Sequence, residues 1–195
     1  MNTDLTEIIF LLDRSGSMGG LEHETIEGYN SFIEKQSQLQ GQTLVTTVLF
    51  DDKVEQLWSG MEANKVSLTE EEYYVRGCTA LMDAVGKTIL NVGHRLSNLE
   101  EEERPGKVIF VITTNGMENA SVEFSASKVK DLISHQQERY NWEFIFLGAN
   151  INAAEEALKI GIDLESSYQF EASAKGVEKM YDIVSEAVFE KRSGY

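Results

Sequence analysis

Ile8-Ile9-Phe10-Leu11-Leu12-Asp13-Arg14-Ser15-Gly16-Ser17-Met18 joins an apolar run directly to a polar loop. Its first half is a β-branched, aromatic and aliphatic run too short for a helix, the pattern of a strand buried on both faces. Its second half turns abruptly polar. A carboxylate and two hydroxyls stand at alternate positions, Asp13, Ser15 and Ser17, so that a short turn can aim all three at one point. Gly16, between the serines, lets the backbone bend there. The donors are all oxygen, with neither thiolate nor imidazole, a set that selects a hard cation such as magnesium, manganese or calcium over zinc.

Outward from this stretch, short apolar runs alternate with longer helical periods. Ile26, Tyr29 and Ile33 recur at helical spacing before Gly41. Residues 44–50 read as a second strand, and 54–58, after the turn Asp51-Asp52-Lys53, as an alternating segment suited to an antiparallel edge hairpin. Residues 60–78 show no clear period. Leu81, Val85, Ile89, Val92, Leu96 and Leu99 set a long amphipathic helix. A central strand is expected over 107–112, a helix over 125–139, a strand over 142–147, and a helix over 153–160 closed by Gly161. A short strand over 167–170 and a helix through Val177, Met180, Tyr181, Val184 and Val188 complete the chain. This order implies a doubly wound α/β fold, one domain over 1–195. Its central sheet has about six strands, mostly parallel with one antiparallel edge strand, and helices on both faces. Ligands of such sheets bind at the carboxyl ends of the strands, which directs attention to the loops after the first, second and fourth.

The net charge is -16, from 33 acidic against 17 basic residues, which argues against nucleic acid and anionic membrane surfaces as partners. The acidic runs Glu70-Glu71-Glu72 and Glu100-Glu101-Glu102-Glu103 read as solvated loops or helix ends. One cysteine, Cys78, excludes an intrachain disulfide and is expected to be a small buried hydrophobe. No leader and no apolar run of membrane length precedes or interrupts the pattern, so a cytoplasmic protein is expected.

Other readings of the first loop fail on an essential residue. A nucleophile elbow needs glycine two residues before the serine, a P-loop needs Gly-Lys-Ser/Thr, and a dinucleotide fingerprint needs three spaced glycines. A haloacid dehalogenase-type phosphatase would want aspartate where Ser15 stands. The loop instead resembles the von Willebrand factor type A family, whose metal-ion-dependent adhesion site follows Asp-x-Ser-x-Ser after the first strand. Thr79, in Arg76-Gly77-Cys78-Thr79-Ala80-Leu81, matches that family's threonine. The stretch Thr113-Thr114-Asn115-Gly116 matches its Thr-Asp-Gly segment, with Asn115 where aspartate is usual.

The resemblance implies a divalent cation, Mg2+ foremost with Mn2+ or Ca2+ as alternatives, held by Asp13, Ser15, Ser17 and Thr79, with Asn115 toward its water shell. A carboxylate from a partner protein would complete the shell. Asn115 removes one negative charge, so the expected site is weak and partner-assisted. The leading expectation is a metal-dependent protein-binding module rather than an enzyme. A metal-free scaffold of the same fold is the alternative, and a metal-dependent hydrolase or phosphotransferase lacks an evident base or nucleophile. Asp51 is expected in a turn, and Asp83 at the start of a helix, where a carboxylate suits the helix dipole. His23, His94 and His135 fall in no zinc pattern.

Overall fold

The computed structural model describes residues 1–194. Its elements are β1 (Asn2–Asp13), α1 (Glu22–Ser37), β2 (Gln42–Phe50), β3 (Val54–Glu62), α2 (Leu81–Ser97), β4 (Pro105–Thr114), α3 (Ala126–Tyr140), β5 (Glu143–Gly148), α4 (Ala153–Lys159), β6 (Ser167–Gln169) and α5 (Ala174–Ser193). The strands form one sheet in the order β3-β2-β1-β4-β5-β6. All neighbours are parallel except β3, which returns antiparallel along β2 and closes that edge. The doubly wound, mostly parallel architecture expected from the alternation is the one observed.

β1 lies at the centre because its apolar run can be covered on both sides. Ile8, Phe10 and Leu12 enter the core shared with α1 and α5. Ile9 and Leu11, pointing the other way, enter the core shared with α2, α3 and α4. Such a strand needs no polar alternate positions, since neither face meets water. The strand also extends back to Asn2, before the apolar run begins. Main-chain pairing carries that extension: the Asn2 amide donates to the Arg104 carbonyl at 2.8 Å.

The Phe10 ring anchors the first core, with Tyr29, Phe32 and Tyr181 ring centres at 5.4, 5.5 and 6.1 Å. Close passage of α1 and α5 depends on Gly28, where an added Cβ would lie 2.2 Å from the Tyr181 ring. Gly28→Ala is therefore expected to cost about 1–3 kcal/mol through overpacking. A urea titration reads this directly, and an unchanged midpoint would mean that Tyr181 swings aside freely.

The irregular segment after β3 is held by side chains. Asn30 of α1 accepts from the Leu68 amide at 2.7 Å and donates to its carbonyl at 2.8 Å. Tyr73 is buried, and its hydroxyl donates to the Asp13 carbonyl at 2.7 Å. This coil thus lies against the end of β1 and delivers Thr79 to the same face. Helices α3, α4 and α5 begin with side-chain caps from Ser125, Asn152 and Ser173. Helices α1 and α2 follow Leu21 and Ala80 and have none.

Candidate functional site

The loops after β1 and β4 and the coil before α2 meet at the carboxyl ends of the central strands. Asp13 is buried, and its carboxylate is already engaged. Oδ1 accepts from the Ser15 amide at 2.7 Å, while Oδ2 accepts from the Asn115 amide at 3.0 Å and the Thr114 hydroxyl at 2.9 Å. This carboxylate holds the loops after β1 and β4 together. The Ser15 and Ser17 hydroxyl oxygens lie 3.1 Å apart. A Cβ built on Gly116 would sit 3.3 Å from Ser17 Oγ and 3.6 Å from Thr79 Oγ1, so all three segments converge on a narrow gap. The sequence-derived set Asp13, Ser15, Ser17, Thr79 and Asn115 is thus gathered on one face.

Both ends of the Asn115 side-chain amide have protein partners. Its Nδ2 donates to the Ser17 carbonyl at 2.7 Å, and its Oδ1 accepts from Asn150 Nδ2 at 2.5 Å. Both ends of the amide are used to tie the loops after β1, β4 and β5 to one another. An aspartate has no hydrogen to offer the Ser17 carbonyl, so the neutral amide makes a bond that the family's usual residue cannot. Nothing in the sequence pattern singles out Asn150. Its left-handed backbone, φ 56°, suits asparagine, and residue type is the one local sign that it holds a special turn.

Thr79 stands one residue before Ala80, which precedes α2. Its amide donates to Asn119 Oδ1 at 2.9 Å, and its carbonyl accepts from the Asn119 and Ala120 amides. The loop beyond is organised by two carboxylates. Glu118 accepts from the Met82, Ala120 and Ser121 amides, and Asp83 accepts from the Val122, Glu123 and Phe124 amides at 2.8–3.0 Å. Burial alone would raise the Asp83 pKa, but these three amides and Lys87 hold it below its ordinary value. Asp83 therefore fastens a loop, a role beyond the favourable charge on a helix dipole that its sequence position suggests.

Beneath the site lies a second network. Arg14, between Asp13 and Ser15, is fully buried. Its Nε donates to Asp51 at 3.1 Å and its Nη2 to Glu55 at 2.6 Å. Arg76 donates to the same Asp51 oxygen at 2.5 Å, and the Tyr74 ring lies 5.4 and 5.5 Å from the two guanidinium groups. Asp51, expected in an ordinary turn, is buried. Burial pushes its pKa up, but the Arg76 hydrogen bond, the Lys53 amide and the charges of Arg14 and Arg76 outweigh this and hold it low. Strand register explains the meeting: with Asp13 paired to Phe50 in parallel, residue 14 comes beside residue 51. Cys78, expected to be buried, is exposed, because the coil that carries it runs over the surface.

The hydroxyls of Ser15, Ser17 and Thr79 would suit a hard cation, but the charge supply does not. Asp13 is the single carboxylate of the set and already accepts three hydrogen bonds, while Asn115 is neutral and turns its oxygen to Asn150. Among the described residues, no three carboxylate, imidazole or thiolate groups come together elsewhere. The residues present do not fit a permanently bound divalent ion.

No protein-family model and no curated protein matches the sequence. Among solved structures, proximal thread matrix protein 1 from the mussel byssus is similar at TM-score 0.66 and 16% identity, covering 94% of this chain and 46% of that one. A second structure of that protein has a zinc occupied MIDAS motif, with TM-score 0.60 and 16% identity over 94% of this chain and 45% of that one. The PilB minor pilin from Streptococcus sanguinis is similar at TM-score 0.63 and 10% identity, over 96% of this chain and 61% of that one. The chain thus spans roughly half the length of the structures it matches, and at these identities the likeness is one of fold. The expectation of a cytoplasmic chain is not upheld: the structures it resembles are a byssus thread matrix protein and a minor pilin, and an expectation that rests on a missing leader carries no address. Sheet order, the antiparallel edge strand and these likenesses together show that the chain has a von Willebrand factor type A-like fold.

Proposed function

We propose that this chain is a protein-interaction module whose binding face is closed by its own hydrogen bonds and works without a resident cation. The observation that carries this reading is the double use of Asn115, whose amide donates to the Ser17 carbonyl and accepts from Asn150. A loop set that a metal would otherwise draw together is here drawn together by an amide. The exposed Ser17 hydroxyl, with the buried Ser15 and Thr79 beside it, is then left as a neutral hydrogen-bond partner for an acidic or amide side chain of another protein. Met117 and Val122, 69% and 88% exposed, stand on the adjoining loop and supply apolar contact.

Calorimetric titration with MgCl2 and MnCl2 tests this reading. No saturable heat is expected from the native chain, and a saturable heat with either ion would overturn it. Asn115→Asp is expected to lose the bond to the Ser17 carbonyl and to cost about 1–3 kcal/mol in stability. The same variant regains the missing negative charge, so Mn2+ should raise its melting temperature while leaving that of the native chain unmoved.

A second reading has one observation in its favour, the 3.1 Å approach of the Ser15 and Ser17 hydroxyls with Thr79 close by. In that reading the cation arrives together with a partner's carboxylate, which supplies the missing charge. It predicts that chelator abolishes partner binding although Mg2+ alone gives no heat, whereas the metal-free module binds its partner equally well in chelator.

A further inference from the structure

At the opposite end of the sheet, where β4 begins at Pro105 and Trp142 leads into β5, α2 and α3 border a cleft of about 490 Å³. Volumes of about 300–1,000 Å³ are usual for sites that take small molecules. Its interior is apolar, with Ile89, Val108 and Trp142 all buried. His94 and His135, far apart in sequence, both line it.

Three features are not explained by the fold. Gln136 is only 8% exposed and lines the cleft, yet its side-chain amide makes no hydrogen bond among the described residues. The amide opens to the cleft, where an occupant displaces its water, so an occupant that bonds to it is favoured over one that leaves it unpaired at a cost of about 1–3 kcal/mol. Gly93, inside α2, stands where a side chain would fit, since an added Cβ would meet Gln136 Nε2 at 3.7 Å and the Trp142 ring at 3.9 Å, both ordinary contacts. Glycine inside a helix costs about 1 kcal/mol relative to alanine. No close approach requires it here, unlike Gly28, and its effect is to keep the cleft open. Finally, none of the lining residues is acidic in a chain that carries 33 acidic residues. Arg104, which lines the cleft, gives Nε to the Leu99 carbonyl at 2.9 Å and Nη2 to the Ser97 carbonyl at 3.1 Å. Its Nη1 has no partner among the described residues.

We infer that this cleft binds a small apolar carboxylate. The hydrocarbon body lies against Ile89, Val108 and Trp142, the anionic end is drawn to Arg104, and the open amide of Gln136 supplies a hydrogen bond. The cleft is independent of the loop site at the other end of the strands, so neither proposal depends on the other.

Calorimetric titration of the whole chain with sodium octanoate, octanol and octylammonium tests the inference. Octanoate should bind saturably, and octylammonium at least about 10-fold more weakly. Arg104→Gln should weaken octanoate about 10-fold and leave octanol unchanged, because only the charge-assisted contact is lost. Gly93→Leu should abolish binding while preserving the melting temperature, since leucine favours the helix and fills the space. If that variant melts early, Gly93→Ala alone should still weaken octanoate by about 3-fold, roughly the worth of one methyl-sized loss of space. Absence of saturable octanoate binding would overturn the inference. So would equal affinity for octylammonium, or full affinity in a stably folded Gly93 variant.

Discussion

Asp51→Ala is expected to lower the unfolding free energy by about 3–5 kcal/mol, the usual consequence of leaving a buried charge without its partner. The residue follows the last position of β2, in one of the loops where ligands of such sheets bind, yet its residue type there reads as an ordinary turn. In the structure its carboxylate receives the Nε of Arg14 at 3.1 Å and of Arg76 at 2.5 Å, together with the Lys53 amide at 2.7 Å. Arg14 is fully buried, and Glu55, which is half exposed, is the one carboxylate it keeps once Asp51 is gone. Urea unfolding measures the loss. A change below about 1 kcal/mol, the size of an ordinary surface pair, would show that Glu55 compensates. The double variant Arg14→Met with Asp51→Leu should recover most of the stability, because it removes both buried charges at once.

The same group gives a pH dependence whose sign is fixed. Its folded pKa is held below the ordinary carboxylate value by its two arginines and the Lys53 amide, despite the opposing effect of burial. Its contribution is therefore fully present above the unfolded pKa of about 3.9 and is lost as pH falls through the lower folded value. The native chain should lose stability below about pH 4 more steeply than the Asp51 variant.

Asp13→Ala is the second change of large effect, expected to cost about 3 kcal/mol or more. It leaves the Ser15 and Asn115 amides without an acceptor and the Thr114 hydroxyl with only the longer bond to the Gly116 carbonyl at 3.3 Å, and each buried group left unpaired costs about 1–3 kcal/mol. The result matters for function. Loss of partner binding in this variant would not by itself implicate a cation, since the carboxylate already holds the loops after β1 and β4 in place. Thermal unfolding separates the cases. If Asp13→Ala melts with the native chain, the carboxylate is free to serve a metal and the metal-free reading loses its footing. A large drop in melting temperature, with no response to Mg2+ in either protein, supports the loop-clamping role.

Much of this site is legible in the amino-acid sequence. Asp13, Ser15 and Ser17 share one turn, so their convergence follows from spacing alone. Thr79 and Asn115 are read from the resemblance to the von Willebrand factor type A pattern, and the element order agrees with it, since parallel strands joined by crossovers present their carboxyl ends on one face. The orientation of Asn115 is not legible in the same way. Whether its oxygen faces a cation or Asn150 depends on a residue 35 positions away and on the left-handed turn that carries it. The burial of Asp51 and the exposure of Cys78 escape sequence reasoning for a related cause. Residue type sets a preference for burial, but the path of the 60–78 coil decides what each residue meets, and that path has no period to read.

Strands, helices and their order are therefore written in local patterns, because side-chain alternation and helical spacing are properties of the chain's own geometry. The paired faces of β1, the antiparallel edge of β3 and the Asp13-to-Ser17 turn belong to this class. The partners of polar groups do not. The Arg14–Asp51–Arg76 cluster, the Asn115 clamp and the unpaired Gln136 amide arise between segments distant in sequence, and hydrogen bonds are directional over about 3 Å. Only sheet register and loop path bring donor and acceptor within that distance, and here they tie the Asp13-to-Ser17 loop to Asn115.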